Sequence, residues 1–250
     1  MKQTNYKLTL SYDGTGFKGW QKQPGTEADT IQGRLEAIAS KLNGRETAVN
    51  GAGRTDAGVH ATCQTANVIL DGERTTAEVA ELFNRYLPET VSVDRAEVCA
   101  PDFHARLSKS RKTYTYYVYL SEKPPVFRRK YVYAYGKPLD INKIKKACEK
   151  LEGVHDFRGF ATAVPKKKSS VRTIFEARAQ IEGDTLTVKL TADGFLYNEV
   201  RIIVGTLLSI GCGELDENAV NRVFESGDRS EAGFTAPARG LFLTDVSYGE

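Results

Sequence analysis

Apolar and polar residues alternate through Tyr6-Lys-Leu-Thr-Leu-Ser-Tyr12, the two-residue period of a half-buried strand. The period then lengthens. Ile31, Leu35, Ile38, Ala39 and Leu42 fall on one face of a helix that Asp29 or Thr30 can cap and Asn43-Gly44 can end. Extended patterns return at residues 64–70 and 91–98. Between them, Thr75 and Glu78 have capping-box spacing ahead of a helical face of Val79, Leu82, Phe83 and Tyr86, which Pro88 stops. A similar order follows downstream. Residues 113–120 are dense in β-branched and aromatic side chains, a strand composition. Asp140 can cap a helix carrying Ile144, Ala147, Cys148 and Leu151, closed by Gly153. Residues 171–181 and 185–190 form a predicted hairpin about Gly183-Asp184. A helix with Val200, Ile203, Val204, Leu207 and Leu208 runs to Gly211, a shorter one runs from Asp216 to Gly227, and residues 241–248 close the chain as a strand.

Strands and helices thus come twice in a similar order, with no residue-by-residue repeat and a break near residues 101–112. The predicted class is α+β: two halves, residues 1–105 and 106–250, with mostly antiparallel sheets. No apolar run reaches the ~18 residues of a membrane helix. The first ten residues go straight into strand-like alternation, without the apolar core of a signal peptide. A cytoplasmic protein with no membrane partner is expected. Cys63, Cys99, Cys148 and Cys212 form no C-x-x-C pair, and with only His60, His104 and His155 beside them no metal-ligand spacing arises. Free, mostly buried thiols are the expectation.

Charge changes the picture more than composition does. The net charge is only +3, but residues 106–172 hold 18 Lys or Arg against 5 Asp or Glu, a net of +13, and the remainder is −10. Three clusters carry the excess: Arg106, Lys109, Arg111 and Lys112; Arg128, Arg129 and Lys130; Lys166, Lys167 and Lys168. One cluster alone reads as a solvated loop. Three in one segment, against an acidic remainder, favour a polyanionic partner such as nucleic acid.

The densest candidate chemistry lies in Gly51-Ala-Gly-Arg-Thr-Asp-Ala-Gly-Val-His-Ala61. Its small residues allow a sharp turn and close approach of a ligand, and the turn presents Arg54 and Asp56. On spacing alone an ordinary Gly-rich turn holding one Asp prevails. It is not a phosphate loop, because no Gly-Lys-Ser/Thr follows, and it does not fit G-x-G-x-x-G.

Five segments in order resemble the tRNA pseudouridine synthase A family across nearly the whole chain. They are Tyr12-Asp-Gly-Thr-Gly-Phe-Lys-Gly-Trp-Gln-Lys-Gln23; Gly53-Arg-Thr-Asp-Ala-Gly-Val-His60; Asp102-Phe-His-Ala-Arg106 with Lys112-Thr-Tyr-Thr-Tyr116; Asp193-Gly-Phe-Leu-Tyr-Asn-Glu-Val-Arg-Ile-Ile-Val-Gly205; and Pro237-Ala-Arg-Gly-Leu-Phe-Leu243. The resemblance implies two ferredoxin-like halves joined into one extended sheet with helices on one face. It also implies a homodimer that binds tRNA across both subunits. The implied reaction isomerises uridine to pseudouridine at positions 38, 39 and 40 of the anticodon stem-loop, with no metal or organic cofactor.

That reaction breaks the C1′–N1 bond, turns the uracil and joins C1′ to C5, so the nucleotide must leave the stack. By resemblance Asp56 is the essential carboxylate, as nucleophile or as base on the ribose; both need it ionised. Arg201 pairs with it and favours that form. By its own pattern Arg201 is a helix-surface arginine, although the run Ile202–Val204 argues for a buried helix in which it needs a partner. Tyr114 stacks on the flipped uracil and can take the C5 proton; by itself it is one of four tyrosines in a strand. Arg54 fills the space of the flipped base or holds its phosphate, and Leu241 packs against the base. From the charge distribution, not the resemblance, Lys166, Lys167 and Lys168 are expected to hold phosphates. His60 supports the loop. Glu199 stands where the family more often has methionine; at i and i+2 on a helix it does not face Arg201. A silent tRNA-binding protein and a carboxylate-dependent nucleotide hydrolase are the competing readings. The first keeps its function without Asp56. The second lacks a companion carboxylate or metal cluster near Asp56 in sequence.

Overall fold

A computed structural model describes residues 2–163 and 169–249. In chain order the elements are β1 (Gln3–Tyr12), α1 (Ile31–Asn43), β2 (Val49–Gly51), β3 (His60–Asp71), α2 (Thr76–Asn84), β4 (Val91–Val98), β5 (Ser110–Tyr119), β6 (Tyr133–Ala134), α3 (Ile141–Glu149), β7 (Gly153–Asp156), β8 (Val171–Glu182), β9 (Thr185–Ala192), α4 (Glu199–Gly211), α5 (Ala219–Ser226) and β10 (Leu241–Tyr248). The chain is α+β and divides into two compact units, Met1–Ser110 with Leu243–Glu250, and Arg111–Phe242.

In the first unit the strand order is β4-β1-β3, with β2 and β10 also on β3. The pairs β1–β3, β1–β4 and β2–β3 are antiparallel. With α1 and α2 in the crossovers, the order β4-β1-β3-β2 is that of a ferredoxin-like βαββαβ unit. Local chemistry starts each helix. The Thr30 hydroxyl accepts from the Gly33 amide, and Gly44 ends α1 at φ 67°. Thr75 and Glu78 form the full capping box of α2. Tyr6, Leu8 and Leu10 of β1, Ala66, Val68 and Leu70 of β3, Leu35 of α1, and Val79 and Phe83 of α2 are buried and make the core.

In the second unit the order is β5-β9-β8-β7, with β6 parallel to β5 and the other pairs antiparallel. The Asp140 carboxylate accepts from the Asn142 and Lys143 amides and starts α3. Gly183, at φ 58°, turns the β8–β9 hairpin. α4 has no wide polar face: from Ile202 to Gly211 every residue is buried.

Four expectations shift. Tyr86 is no core residue; it lies beyond the end of α2, 48% exposed, with the Lys41 ammonium 4.3 Å from its ring centroid. That helix stops at Asn84, well before Pro88, and α5 starts at Ala219 rather than Asp216, whose carboxylate accepts from the Asn218 amide. The thiols are free, but only Cys148 is buried, and burial pushes it up to about 12. No helix among the described residues is long and apolar enough to cross a membrane, and they contain no group of three His, Cys, Asp or Glu fit to hold a metal.

Candidate active site

The Arg54–Asp56 turn joins β2 to β3 in the first unit, and the segment after β1 is packed onto it. The Trp20 amide donates to the Thr55 carbonyl at 3.0 Å. The Tyr12 and Thr55 hydroxyls meet at 2.8 Å, and the Gln64 amide group donates to the Gly53 carbonyl at 3.0 Å. These contacts need backbone to lie on backbone. A side-chain carbon at Gly14 would sit 2.0 Å from the Val59 oxygen, and one at Gly19 would sit 2.7 Å from the Thr55 oxygen. One at Gly51 would meet the buried Trp20 ring at 2.3 Å. Gly14 and Gly19 of the first segment, and Gly51 at the end of β2, thus let the two stretches of chain come into close contact. Burial pushes the Tyr12 hydroxyl up to about 12, so it stays a neutral hydrogen-bonding group against the turn.

Within this frame Thr55 and Val59 are buried, Asp56 is half-buried and Arg54 is exposed. The Val59 amide closes the turn on the Asp56 carbonyl at 3.1 Å. His60 is 1% exposed; its Nδ1 lies 3.1 Å from the Gly14 amide and 3.2 Å from an Asp13 carboxylate oxygen. A ring so enclosed supports the loop. Arg54 is held below the usual guanidinium range by partial burial and by the positive charge of Arg106. Two cations brought near each other on one unit suit an anion such as a phosphate. The loop that carries Arg106 hangs on a buried amide pair. Asn5 donates to the carbonyls of Ala100 and Phe103, Asn67 donates to Asn5 and accepts from the Ala105 amide, and Tyr248 donates to the Ala105 carbonyl.

The second unit holds Tyr114, Arg201 and Leu241. Tyr114 sits on β5 opposite Leu190, 6% exposed, with Phe195 edge-on at 5.2 Å. Arg201, in the first turn of α4, donates through Nε to the Ala236 carbonyl at 2.7 Å and through Nη1 to the Asn198 side chain at 2.8 Å. Asn198 stands at φ 62°, alone among described residues other than glycine in positive φ, and its amide also donates to Thr162. Leu241 is 4% exposed at the start of β10. Lys112, beside Tyr114 on β5, is held below its usual value by burial. Lys166, Lys167 and Lys168 lie outside the described residues.

Glu199 stands out in the sequence as a departure from the family pattern; its burial is what the sequence does not reveal. It opens α4 fully buried. One carboxyl oxygen accepts from the Leu196 amide at 2.6 Å; the other has no partner among the described residues. Burial pushes the group up to about 8, with Arg172 opposing the shift and Asp193 adding to it. Its sequence signals are the departure from the family's usual methionine and an acid at the head of a largely apolar helix.

The profile of the tRNA pseudouridine synthase family matches residues 9–107 and 147–249, which include the Asp56 turn and the head of α4. A tRNA pseudouridine synthase A of Bacillus sp. (strain KSM-64) is 43% identical over 98% of this chain and 99% of its own length. One of Caldicellulosiruptor bescii is 41% identical over the same shares, as is a tRNA pseudouridine synthase A 2 of Clostridium perfringens. A solved Cbf5-Nop10-Gar1 complex is similar at a TM-score of 0.39 and 13% identity, over 82% of this chain and 45% of that one, too distant to add to what these relatives show. By class the protein is an isomerase that acts on RNA. The chain belongs to the tRNA pseudouridine synthase family.

Proposed function

We propose that the chain converts uridine to pseudouridine at positions 38, 39 and 40 of the tRNA anticodon stem-loop. The observation that carries the reading is the Arg54–Asp56 turn, clamped by the Trp20, Tyr12 and Gln64 hydrogen bonds and stripped of bulk by glycine on both sides. Rigid support leaves one carboxylate and one guanidinium presented by a fixed backbone, which positioning chemistry requires.

The target nucleotide is flipped out, since neither the glycosidic bond nor C5 can be reached in the stack. The ionised carboxylate of Asp56 acts on the ribosyl group as nucleophile or as base. The C1′–N1 bond breaks, the uracil turns, C1′ bonds to C5, the C5 proton leaves and N1 takes one up. Tyr114 supports the flipped uracil and is placed in the family motif to accept the C5 proton. Arg201, fixed by Ala236 and Asn198, supplies the charge that keeps the essential carboxylate ionised. Leu241 packs on the base, and Arg54 holds the vacated space or the adjoining phosphate, with Arg106 near it.

The protein acts on cytoplasmic tRNA as a homodimer; light scattering at the mass of a single chain would remove the dimer. Site choice is tested with an unmodified tRNA carrying uridines at 38, 39 and 40, and a second in which all three are cytidine. Pseudouridine mapped to those positions in the first and absent from the second supports the reading. Product elsewhere in both overturns it.

A further inference from the structure

Between β5 and β6 the chain runs Pro124-Pro-Val-Phe-Arg-Arg-Lys-Tyr131. Phe127 is 93% exposed and Val126 is 66% exposed. Single exposed apolar residues are common and need no explanation. This one differs in being held out. Two successive turns shape the tip: the Arg128 amide donates to the Pro125 carbonyl at 2.9 Å, and the Tyr131 amide to the Arg128 carbonyl at 2.8 Å. One flank is tied to the β8–β9 hairpin, where Arg128 donates to the Thr185 hydroxyl at 2.9 Å, lies 3.5 Å from the Asp184 carboxylate and stands 5.9 Å from the Tyr119 ring. The other flank rests on Tyr131, 6.3 Å from Phe242. Arg129 bonds back to the Val126 carbonyl, and both Arg129 and Lys130 are exposed.

We propose that Phe127 is a stacking platform for an unpaired base of the tRNA, with Arg129 and Lys130 on the phosphates beside it. An exposed aromatic face beside cations is how proteins hold single-stranded nucleotides without reading their sequence, because every base offers a π-face. Charge argues against a second copy of the chain here, since two such tips would bring Arg128, Arg129 and Lys130 against their like. The base it takes is not the reacting one. Thr185, where the tip is tied, pairs with Tyr119, and Leu190 pairs with Tyr114. Five residues of strand put about 17 Å between tip and Tyr114. The platform therefore grips a separate part of the same tRNA and contributes to affinity, not to bond-making. The proposal rests on tRNA being the substrate.

The test compares the native chain, Phe127→Ala and Phe127→Trp on one unmodified tRNA transcript. It reads kcat and KM for pseudouridine formation, the Kd for tRNA and the mass in solution. Loss of one base–aromatic stack predicts a rise of about tenfold in both KM and Kd, with kcat unchanged. The Trp variant restores both constants. Unchanged KM and Kd in Phe127→Ala overturn the proposal, and so does a changed mass, which would assign the tip to a protein interface. If the native chain binds tRNA and makes no pseudouridine, the enzyme reading fails while the Kd comparison still decides the role of Phe127.

Discussion

Glu199 shows how little of one residue's behaviour its sequence position carries. Its i, i+2 spacing from Arg201 correctly separates the two side chains, but spacing carries no burial, and burial decides its behaviour. In the fold the carboxyl is raised to about 8 from an ordinary 4.5. The folded chain therefore holds a proton that the unfolded chain has already lost in the window between those values. Stability is full below about 4.5, falls as pH rises toward 8 and levels off above it. Glu199→Gln keeps an oxygen for the Leu196 amide and removes the titration. Its melting temperature should fall less than the native chain's across this window, and parallel curves would refute the assignment. Asp56, by contrast, was legible as a motif. What its identity could not convey was the company it keeps, because Tyr12, Trp20 and Gln64 reach the turn only through folding.

At the scale of elements, local chemistry was readable and pairing between distant segments was not. The Thr30 cap, the Thr75–Glu78 capping box, the Asp140 cap and the Gly183 hairpin all depend on neighbours in sequence, and all stand in the structure. The short strands β2, β6 and β7 escaped notice, since two to four residues make no pattern until a partner strand is present. The segment after β1 carries a family motif in the sequence, but only the fold shows that it clamps the Asp56 turn. Gly16 and Gly19 separate its two constraints. Both hold positive φ, at 86° and 93°, but a carbon at Gly16 meets nothing within 4 Å while one at Gly19 meets the Thr55 oxygen. Gly16→Ala should cost about 1–2 kcal/mol of stability with kcat retained. Gly19→Ala should cost more and lower kcat at least tenfold. Equal kcat in the two variants would show that the clamp does not position the turn.

For the whole molecule, charge is the property that bears on the substrate. Residues 106–172 carry +13 in a chain whose sum is only +3. A polyanion bound through charges of this kind releases counterions, so its affinity falls steeply with salt. Changing Lys166, Lys167 and Lys168 to Gln should flatten the slope of log K against log salt by about one for each phosphate that is no longer neutralised. An unaltered slope would leave those lysines as solvated charge. The class of the fold was legible from the doubled order of strands and helices. The strand order within each unit was not, because β-strand registry is fixed by faces that meet only in the folded chain.

The central claim is that uridine isomerisation runs through the carboxylate of Asp56. Its most direct test is pseudouridine formation in one unmodified tRNA by the native chain and by Asp56→Asn, with tRNA binding followed for both. The account predicts product from the native chain, none above background from the variant, and similar affinity for tRNA in the two. Product from Asp56→Asn at the native rate, or binding by the native chain without product, would contradict it.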